Sequence, residues 1–315
     1  MTAKQPLHFD PTEFIGRQLR TWPTARDNHA ALNQQQTRQI ESGRQTFIVQ
    51  HNPARAISSG AKVDSKSIAA RPCFLCRSNR PAQQIQTDTD DFSILVNPYP
   101  ILPDHLVIAH RTHTPQTLRG NEEAMISTAD ILPGFTILYN GPRCGASAPD
   151  HMHFQAVRSE SLPLWQSLGQ CLGNINIDTT AIADAVPACL VMRSRDPKAL
   201  SELMSRAMLR LPEDPDGSEP MINALLRLMP DGEYQAVIVP RRCHRPHNFS
   251  FDTSDTTSLF ISPGAVDMCG VIVCPRHIDY DRLTADRILG IFHDVTYSYP
   301  ELCNIYHHPH SPCSE

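Results

Sequence analysis

The segment from Tyr139 to Val157, YNGPRCGASAPDHMHFQAV, carries the densest potential chemistry of the chain. Side chains of a strand alternate between faces, so His151, His153 and Gln155 are expected on one face, with Met152, Phe154 and Ala156 on the other. Polar groups on an otherwise apolar strand cost free energy unless they are partnered or used. Just ahead lies a turn containing Gly141, Gly145, Ala146 and Ser147. Small residues let backbone N–H groups approach an anion closely, and a serine hydroxyl adds a donor. A nucleophilic imidazole beside such a turn suits attack on phosphorus. The competing reading is an ordinary solvated strand face. An H-x-H pair alone does not separate the two; the glycine-serine turn and the glutamine favour chemistry.

A second cluster is Cys73-Phe74-Leu75-Cys76, closed by prolines on both sides. A C-x-x-C pair supplies two thiolates to a tetrahedral zinc, which then needs two more ligands. There is no second C-x-x-C; the sequence offers His113 and His151, with His105 and His110 as alternatives. The rival reading, a redox dithiol, belongs at a helix N-terminus in a βαβ setting, which the flanking prolines do not support. A third cluster, VPRRCHRPHNF, concentrates Arg241, Arg242, His244, Arg245 and His247 after a strand. It is a candidate for binding distal phosphates, weighed equally against a solvated loop. Arg55, Lys62 and Lys66 form a weaker group of the same kind. The tail HHPHSPCSE, with His307, His308 and His310, lacks a strand and a phosphate turn and reads as a chain end with incidental metal affinity.

The His-strand segment resembles the active-site motif of the histidine triad (HIT-like) superfamily, in the branch whose third histidine is Gln. That branch holds galactose-1-phosphate uridylyltransferase, the diadenosine tetraphosphate phosphorylases (ATP adenylyltransferases) and the GDP-sugar phosphorylases. The pattern is Asn, a Gly/Ser turn, then H-x-H-x-Q. Here it reads Asn140, Gly145-Ala146-Ser147 and His151-Met152-His153-Phe154-Gln155. Upstream, FSILVNPYPILPDHLVIAHRTH resembles the superfamily's strand, turn and strand, in which an Asn-Pro segment meets the nucleoside. The likeness is specific over roughly Arg71 to Val157 and points to a bacterial subgroup of the branch.

The resemblance implies an enzyme: a nucleotidyltransferase or phosphorylase acting on a dinucleoside polyphosphate or a nucleotide sugar through a covalent nucleotidyl-histidine. It puts the nucleophile on His153 and a phosphate-oxygen contact on Gln155, which gives hydrogen bonds but no acid. It implies substrate contacts from Asn97, Asn140, Gly145, Ala146 and Ser147, with Arg242 and Arg245 on the distal phosphates. It implies a structural zinc on Cys73, Cys76, His113 and His151. An acceptor, phosphate or sugar phosphate, would complete the reaction. The alternatives are a catalytically silent nucleotide-binding protein or a nucleotide hydrolase of the same fold. Ala148 and Asp150 depart from the pattern; a carboxylate at Asp150 would repel an incoming phosphate unless it is neutralised or faces away.

The elements that must position these groups are legible in outline. The first ~45 residues read as helical and polar. Strands are expected at QTFIVQHNP, DFSILV, HLVIAH, FTILYNG, HMHFQAV, GEYQAVIV and DMCGVIVC. Helices are expected at NEEAMISTADIL, N-capped by Asn121, and at SELMSRAMLRL, EPMINALLRLM and DYDRLTADRILGIFHDVTYS, the last capped by Asp279. SSGAKVDSKS reads as a loop. Strand-rich halves with interspersed helices predict an α+β fold: a HIT-like antiparallel sheet with packed helices, in two related halves. Residues 1–160 would hold the motif and the C-x-x-C, and 161–315 would complete the site.

Composition sets the outer bounds. The 315 residues, 40% hydrophobic and 19% charged, are enough for a sizeable core. No apolar run approaches the ~18 residues of a membrane span. The first residues lack the apolar core of a secretory signal, and ten scattered cysteines fall short of a disulfide scaffold. These features predict a cytoplasmic protein with reduced, mostly buried thiols. The net charge of −5 disfavours a general nucleic-acid surface. Of 28 basic residues 24 are Arg, which suits phosphate forks but follows equally from codon preference. Neither a P-loop nor a G-x-G-x-x-G occurs, which leaves kinases and dinucleotide oxidoreductases without a motif.

Overall fold

In the computed structural model, residues 9–308 are described apart from 57–59, 61–62, 173–174, 216, 218 and 253. Lys62, His310 and Cys313 lie outside the described residues. The chain forms one large antiparallel sheet and one small mixed sheet. The strands are β1 Thr37–Ser42, β2 Gln45–His51, β3 Gln86–Asp88, β4 Phe92–Val96, β5 Leu106–His110, β6 Phe135–Asn140, β7 His153–Arg158, β8 Thr179–Ala183, β9 Cys189–Ser194, β10 Ile222–Leu228, β11 Tyr234–Pro240 and β12 Val271–Cys274. The large sheet runs β3-β4-β5-β7-β6-β10-β11-β9-β8, so its central strand, β6, pairs with β10 and joins the strands of the first half of the chain to those of the second. In the small sheet β2 pairs antiparallel with β1 and parallel with β12. The α+β antiparallel architecture expected from the sequence is the one observed.

Both faces of the large sheet are covered. On one face Ile108, Ile137, Phe154 and Ala224 pack with Phe14, Met125, Leu203 and Leu302 of the surrounding helices. On the other, Leu138, Val157, Leu225 and Val237 pack with Phe47 and Val49 of β2, Trp165, Val271 and Phe292. Met152, Phe154 and Ala156 share the first face. Alternation therefore turns His153 and Gln155 toward the second face, where the small sheet sits.

This two-sided burial explains the main departure from the sequence reading. EPMINALLRLM was expected to be a helix; residues Ile222–Leu228 form β10 instead. Ile222, Ala224 and Leu226 enter one core and Leu225 the other. A strand apolar on both faces loses its period-two signal, and tertiary packing overrides the helix propensity of Leu, Met and Ala.

Smaller corrections have local causes. The first ~45 residues are not all helical: helices Pro11–Thr21 and Pro23–Leu32 are followed by β1, which forms a hairpin with β2 through Gly43 at φ 60° and Arg44. Within SSGAKVDSKS, Asp64 caps a one-turn helix, Ser65–Ala69. Asn121 precedes the helix Glu122–Ile131 as expected, but its side chain donates to Thr117 O, and the Glu122 carboxylate takes the Gly120 N–H. Asp279 caps nothing. It lies fully buried inside the helix His277–Arg282, paired with Arg276 and Arg282, and the closing helix Ala285–Val295 is capped by Thr284. Among the described residues no helix is long and apolar enough to cross a membrane.

Candidate active site and metal cluster

The turn between β6 and β7 is tied down before it does anything else. Asn140, the last residue of β6, accepts through Oδ1 from Asn223 Nδ2 at 2.9 Å and from the Ala265 amide at 2.7 Å. Asn223 also donates to the Cys144 carbonyl at 2.8 Å. Gln116 closes the other side: its Oε1 accepts the His153 amide at 2.8 Å, and its Nε2 donates to the carbonyls of Asn140 and His153. Gly145 sits at φ 100°, and a Cβ on it would lie 2.9 Å from the Gly264 Cα. The close approach of these two backbones requires glycine.

A cavity opens where the turn meets the loop that follows β11. Asn140, Gly145, Ala146, Ser147 and Gln155 line one side. His244, Arg245, Ser262, Gly264 and Asp267 line the other, and Arg55 enters from the segment after β2. Arg245 donates from Nε to Ser262 Oγ at 3.1 Å, and its guanidinium lies 4.7 Å from the ring centres of both Phe249 and Phe251. Such stacking holds a planar fork in place. Burial pushes His244 down to about 3, so it lines the cavity as a neutral ring. Asp267 accepts from the amides of Gly264 and Val273, and burial lifts its carboxyl to about 6.

His153 is almost fully buried. Its Nδ1 is 2.8 Å from the carbonyl oxygen of His151. A carbonyl only accepts, so Nδ1 carries the proton and Nε2 holds the free lone pair. Burial pushes the ring down to about 4, which keeps that lone pair unprotonated at neutral pH. Gln155, two residues on and facing the same way, lines the cavity. The spacing along the strand is about 7 Å.

β7 begins at His153, and His151 belongs to the turn ahead of it. Its ring turns away to the cysteines. Cys73, Cys76, His113 and His151 place four ligand atoms within 4.8 Å of one another. Cys73 Sγ lies 3.2 Å from His151 Nδ1, and Cys76 Sγ lies 3.2 Å from His113 Nδ1 and 3.6 Å from His151 Nδ1. Edges of a tetrahedral zinc site with two sulfurs and two nitrogens come to about 3.6 Å. The outer ring nitrogens are held as zinc histidines usually are. His151 Nε2 faces the His110 carbonyl at 2.7 Å, and His113 Nε2 lies 3.7 Å from Asp150. The donor chemistry fits zinc. His105 and His110 stand apart from the cluster: His105 bonds Gln155, and His110 Nδ1 turns to the Thr112 carbonyl.

Asp150 does not threaten an anion. It pairs with Arg71 at 3.3 Å, and the same guanidinium donates to the Ser147 carbonyl. Two expected substrate contacts are engaged elsewhere. Asn97 holds the proline-rich turn, its Oδ1 accepting the Tyr99 amide at 2.9 Å, and it is not part of the cavity wall. Arg242 points outward to the Thr296 carbonyl and Glu301. Arg241 is a buried staple that donates to Asn223 Oδ1 and to the carbonyls of Pro263, His244 and Val295. His247 pairs with Asp294 on the surface. Ser262, Gly264, Asp267 and the staple Gln116 escaped the sequence reading. Each acts across the fold on residues far away in sequence, and none sits in a local motif.

A family profile described as a domain of unknown function (DUF4922) matches residues 14–158. None of the curated proteins matches the sequence. Among solved structures, yeast Ap4A phosphorylase Apa2 superposes with a TM-score of 0.59 at 15% identity, over 88% of this chain and 97% of that one. The same enzyme in complex with Ap4A gives 0.56 at 13% identity, over 88% and 97%. In complex with AMP it gives 0.54 at 14%, over 90% and 97%. The chain thus has the HIT-like fold of that phosphorylase.

Proposed function

We propose that the protein is a nucleotidyltransferase of the phosphorylase type, acting on a dinucleoside polyphosphate or a nucleotide sugar. The observation that carries this reading is the His153 ring. Its Nδ1–H is committed to the His151 carbonyl, burial keeps its Nε2 unprotonated, and Gln155, two residues on along the same strand face, lines a cavity walled by small residues and arginines. The Nε2 lone pair attacks the α-phosphorus, the bond from phosphorus to the bridging oxygen breaks, and the remainder of the substrate leaves as an anion. The positive charge gained by the ring is stabilised at Nδ1–H by the His151 carbonyl. An acceptor phosphate oxygen then attacks phosphorus, the P–N bond breaks, and its electrons return to Nε2. Gln155, the Gly145–Ser147 backbone and Asn140 would meet the non-bridging oxygens, and Arg55 and Arg245 the distal phosphates. The complexes of the yeast enzyme with Ap4A and AMP support a nucleotide as the substrate class.

Cys73, Cys76, His113 and His151 would hold zinc in a structural role. The metal would bind the C-x-x-C turn to the segment that delivers β7, while the chemistry stays with the histidine strand.

The test is a panel of dinucleoside polyphosphates and nucleotide sugars assayed with and without orthophosphate. The expected product is a nucleoside diphosphate that forms only with phosphate present. A nucleoside monophosphate in place of the diphosphate in both arms, beside the released nucleotide or sugar phosphate, would make the protein a hydrolase, and tight binding without turnover would make it a silent binder.

A further inference from the structure

The mechanism leaves one buried histidine unused. His105 opens the loop-to-strand junction ahead of β5 and is fully buried. Its Nδ1 accepts the Ile101 amide at 3.1 Å. A ring nitrogen that accepts carries no proton, so in a neutral ring the proton is on Nε2. Nε2 lies 2.7 Å from Gln155 Oε1 and donates to it. The Asn97 amide nitrogen, 3.3 Å away, is itself a donor, because the Tyr99 amide fixes Asn97 Oδ1 as the acceptor. It bounds the ring without competing for that proton.

A glutamine side chain is ambiguous by itself, since its oxygen and its NH₂ have nearly the same shape. Facing an anion, one end attracts and the other repels. With Oε1 committed to His105, the NH₂ is the end left for the cavity that Gln155 lines. We infer that His105 is a positioning residue: through its Nε2–H it locks the Gln155 amide with its donors toward a bound phosphate. The lock begins at the backbone of the proline-rich turn, Asn97 to Pro103, so that turn sets the polarity of the phosphate site. Burial, and secondarily Arg55, push the His105 ring down to about 3, so at neutral pH the ring is neutral and Nδ1 remains the acceptor of the Ile101 amide.

This inference rests on the nucleotidyl-transfer reading for its consequence, but not for its geometry. Two substitutions separate the two bonds of the ring. His105→Gln places an amide near the Nε2 position and keeps a donor to Gln155; His105→Asn keeps an acceptor near Nδ1 and loses the distal donor. Single-turnover formation of the nucleotidyl-enzyme should slow by about 100-fold in His105→Asn, the scale of a misplaced catalytic contact. It should stay near wild type in His105→Gln. In a Gln155→Ala background His105→Asn should cause no further loss, because its effect runs through Gln155. Equal slowing by both substitutions, or the same added loss without Gln155, would overturn the assignment. Nitrogen NMR of the wild-type histidines judges it without any variant: His105 must be the Nε2–H tautomer, and an Nδ1–H tautomer sinks the inference. A wild type that forms no nucleotidyl-enzyme would remove the parent reading while the tautomer result still stands.

Discussion

In the proposed chemistry His153 would act through Nε2, because Nδ1 is engaged 2.8 Å from a carbonyl. The same logic sorts the arginines. Arg245 faces the cavity, braced by Ser262 and two phenylalanine rings, whereas Arg242 makes a surface pair with Glu301. Exposed pairs contribute about 0–1 kcal/mol, and a hydrogen bond to a charged group about 1.5–3 kcal/mol. Arg245→Met should therefore raise KM for a polyphosphate substrate by about tenfold or more, and Arg242→Met should leave it within about twofold, by the same magnitudes. Steady-state kinetics of the pair checks this, and the reverse order would place the distal phosphates elsewhere. The sequence showed both arginines as one basic cluster. Which of the two turns inward depends on helices that close the chain some fifty residues later, and no local pattern carries that information. The H-x-H-x-Q strand and the C-x-x-C pair were legible because they are written in short spacings, whereas the convergence of His113 and His151 on the two cysteines, about 40 and 80 residues along the chain, was implied only by the resemblance.

At the scale of elements, the site is a junction of two turns. Gly145 and Gly264 touch back to back, and a Cβ on Gly264 would come 2.9 Å from Asn140 Oδ1, an atom already accepting two hydrogen bonds. Gly264→Ala should displace Asn140 and the turn, lowering stability by about 1–3 kcal/mol. Turnover should fall further than the stability loss explains. Denaturant melts and kcat on the same variant test this; unchanged values of both would mean the two turns move independently. Strands β4 and β6 were readable from the sequence because their ends are marked by proline, glycine or asparagine. β10 was not. It is the strand that meets β6 in the middle of the sheet, and burial on both faces erased the alternation that would have marked it. The metal cluster belongs at this scale as well. Cys73→Ser should abolish binding of one zinc per chain, measured by elemental analysis, and lower the melting temperature. Full metal content in that variant would contradict the ligand set.

For the whole molecule, burying neutral histidines has a thermodynamic consequence. His105 and His244 are both held at about 3 by burial, against an unfolded value near 6.5. A depressed folded pKa means that the contribution to stability is complete above the unfolded value and is lost as pH falls toward the folded one. Between about pH 6 and 4 the unfolded chain takes up protons at His105, His244 and His153 that the folded chain refuses, and Asp267, lifted to about 6, holds one that the unfolded chain lacks, which leaves a net difference of up to about two protons. Stability should drop there by up to about 2.7 kcal/mol per pH unit. Urea melts at pH 7, 6 and 5 measure it, and a flat profile would mean that these rings are solvated. The same burial keeps His153 nucleophilic, so the acid sensitivity and the proposed chemistry share a physical origin. The most direct test of that chemistry is to incubate the protein with an α-phosphate-labelled dinucleoside polyphosphate or nucleotide sugar and no acceptor, then map the label. The account predicts acid-labile nucleoside monophosphate on His153, discharged by added acceptor and absent in His153→Ala. Label on another residue, or no label while wild type and His153→Ala turn over equally, would contradict it.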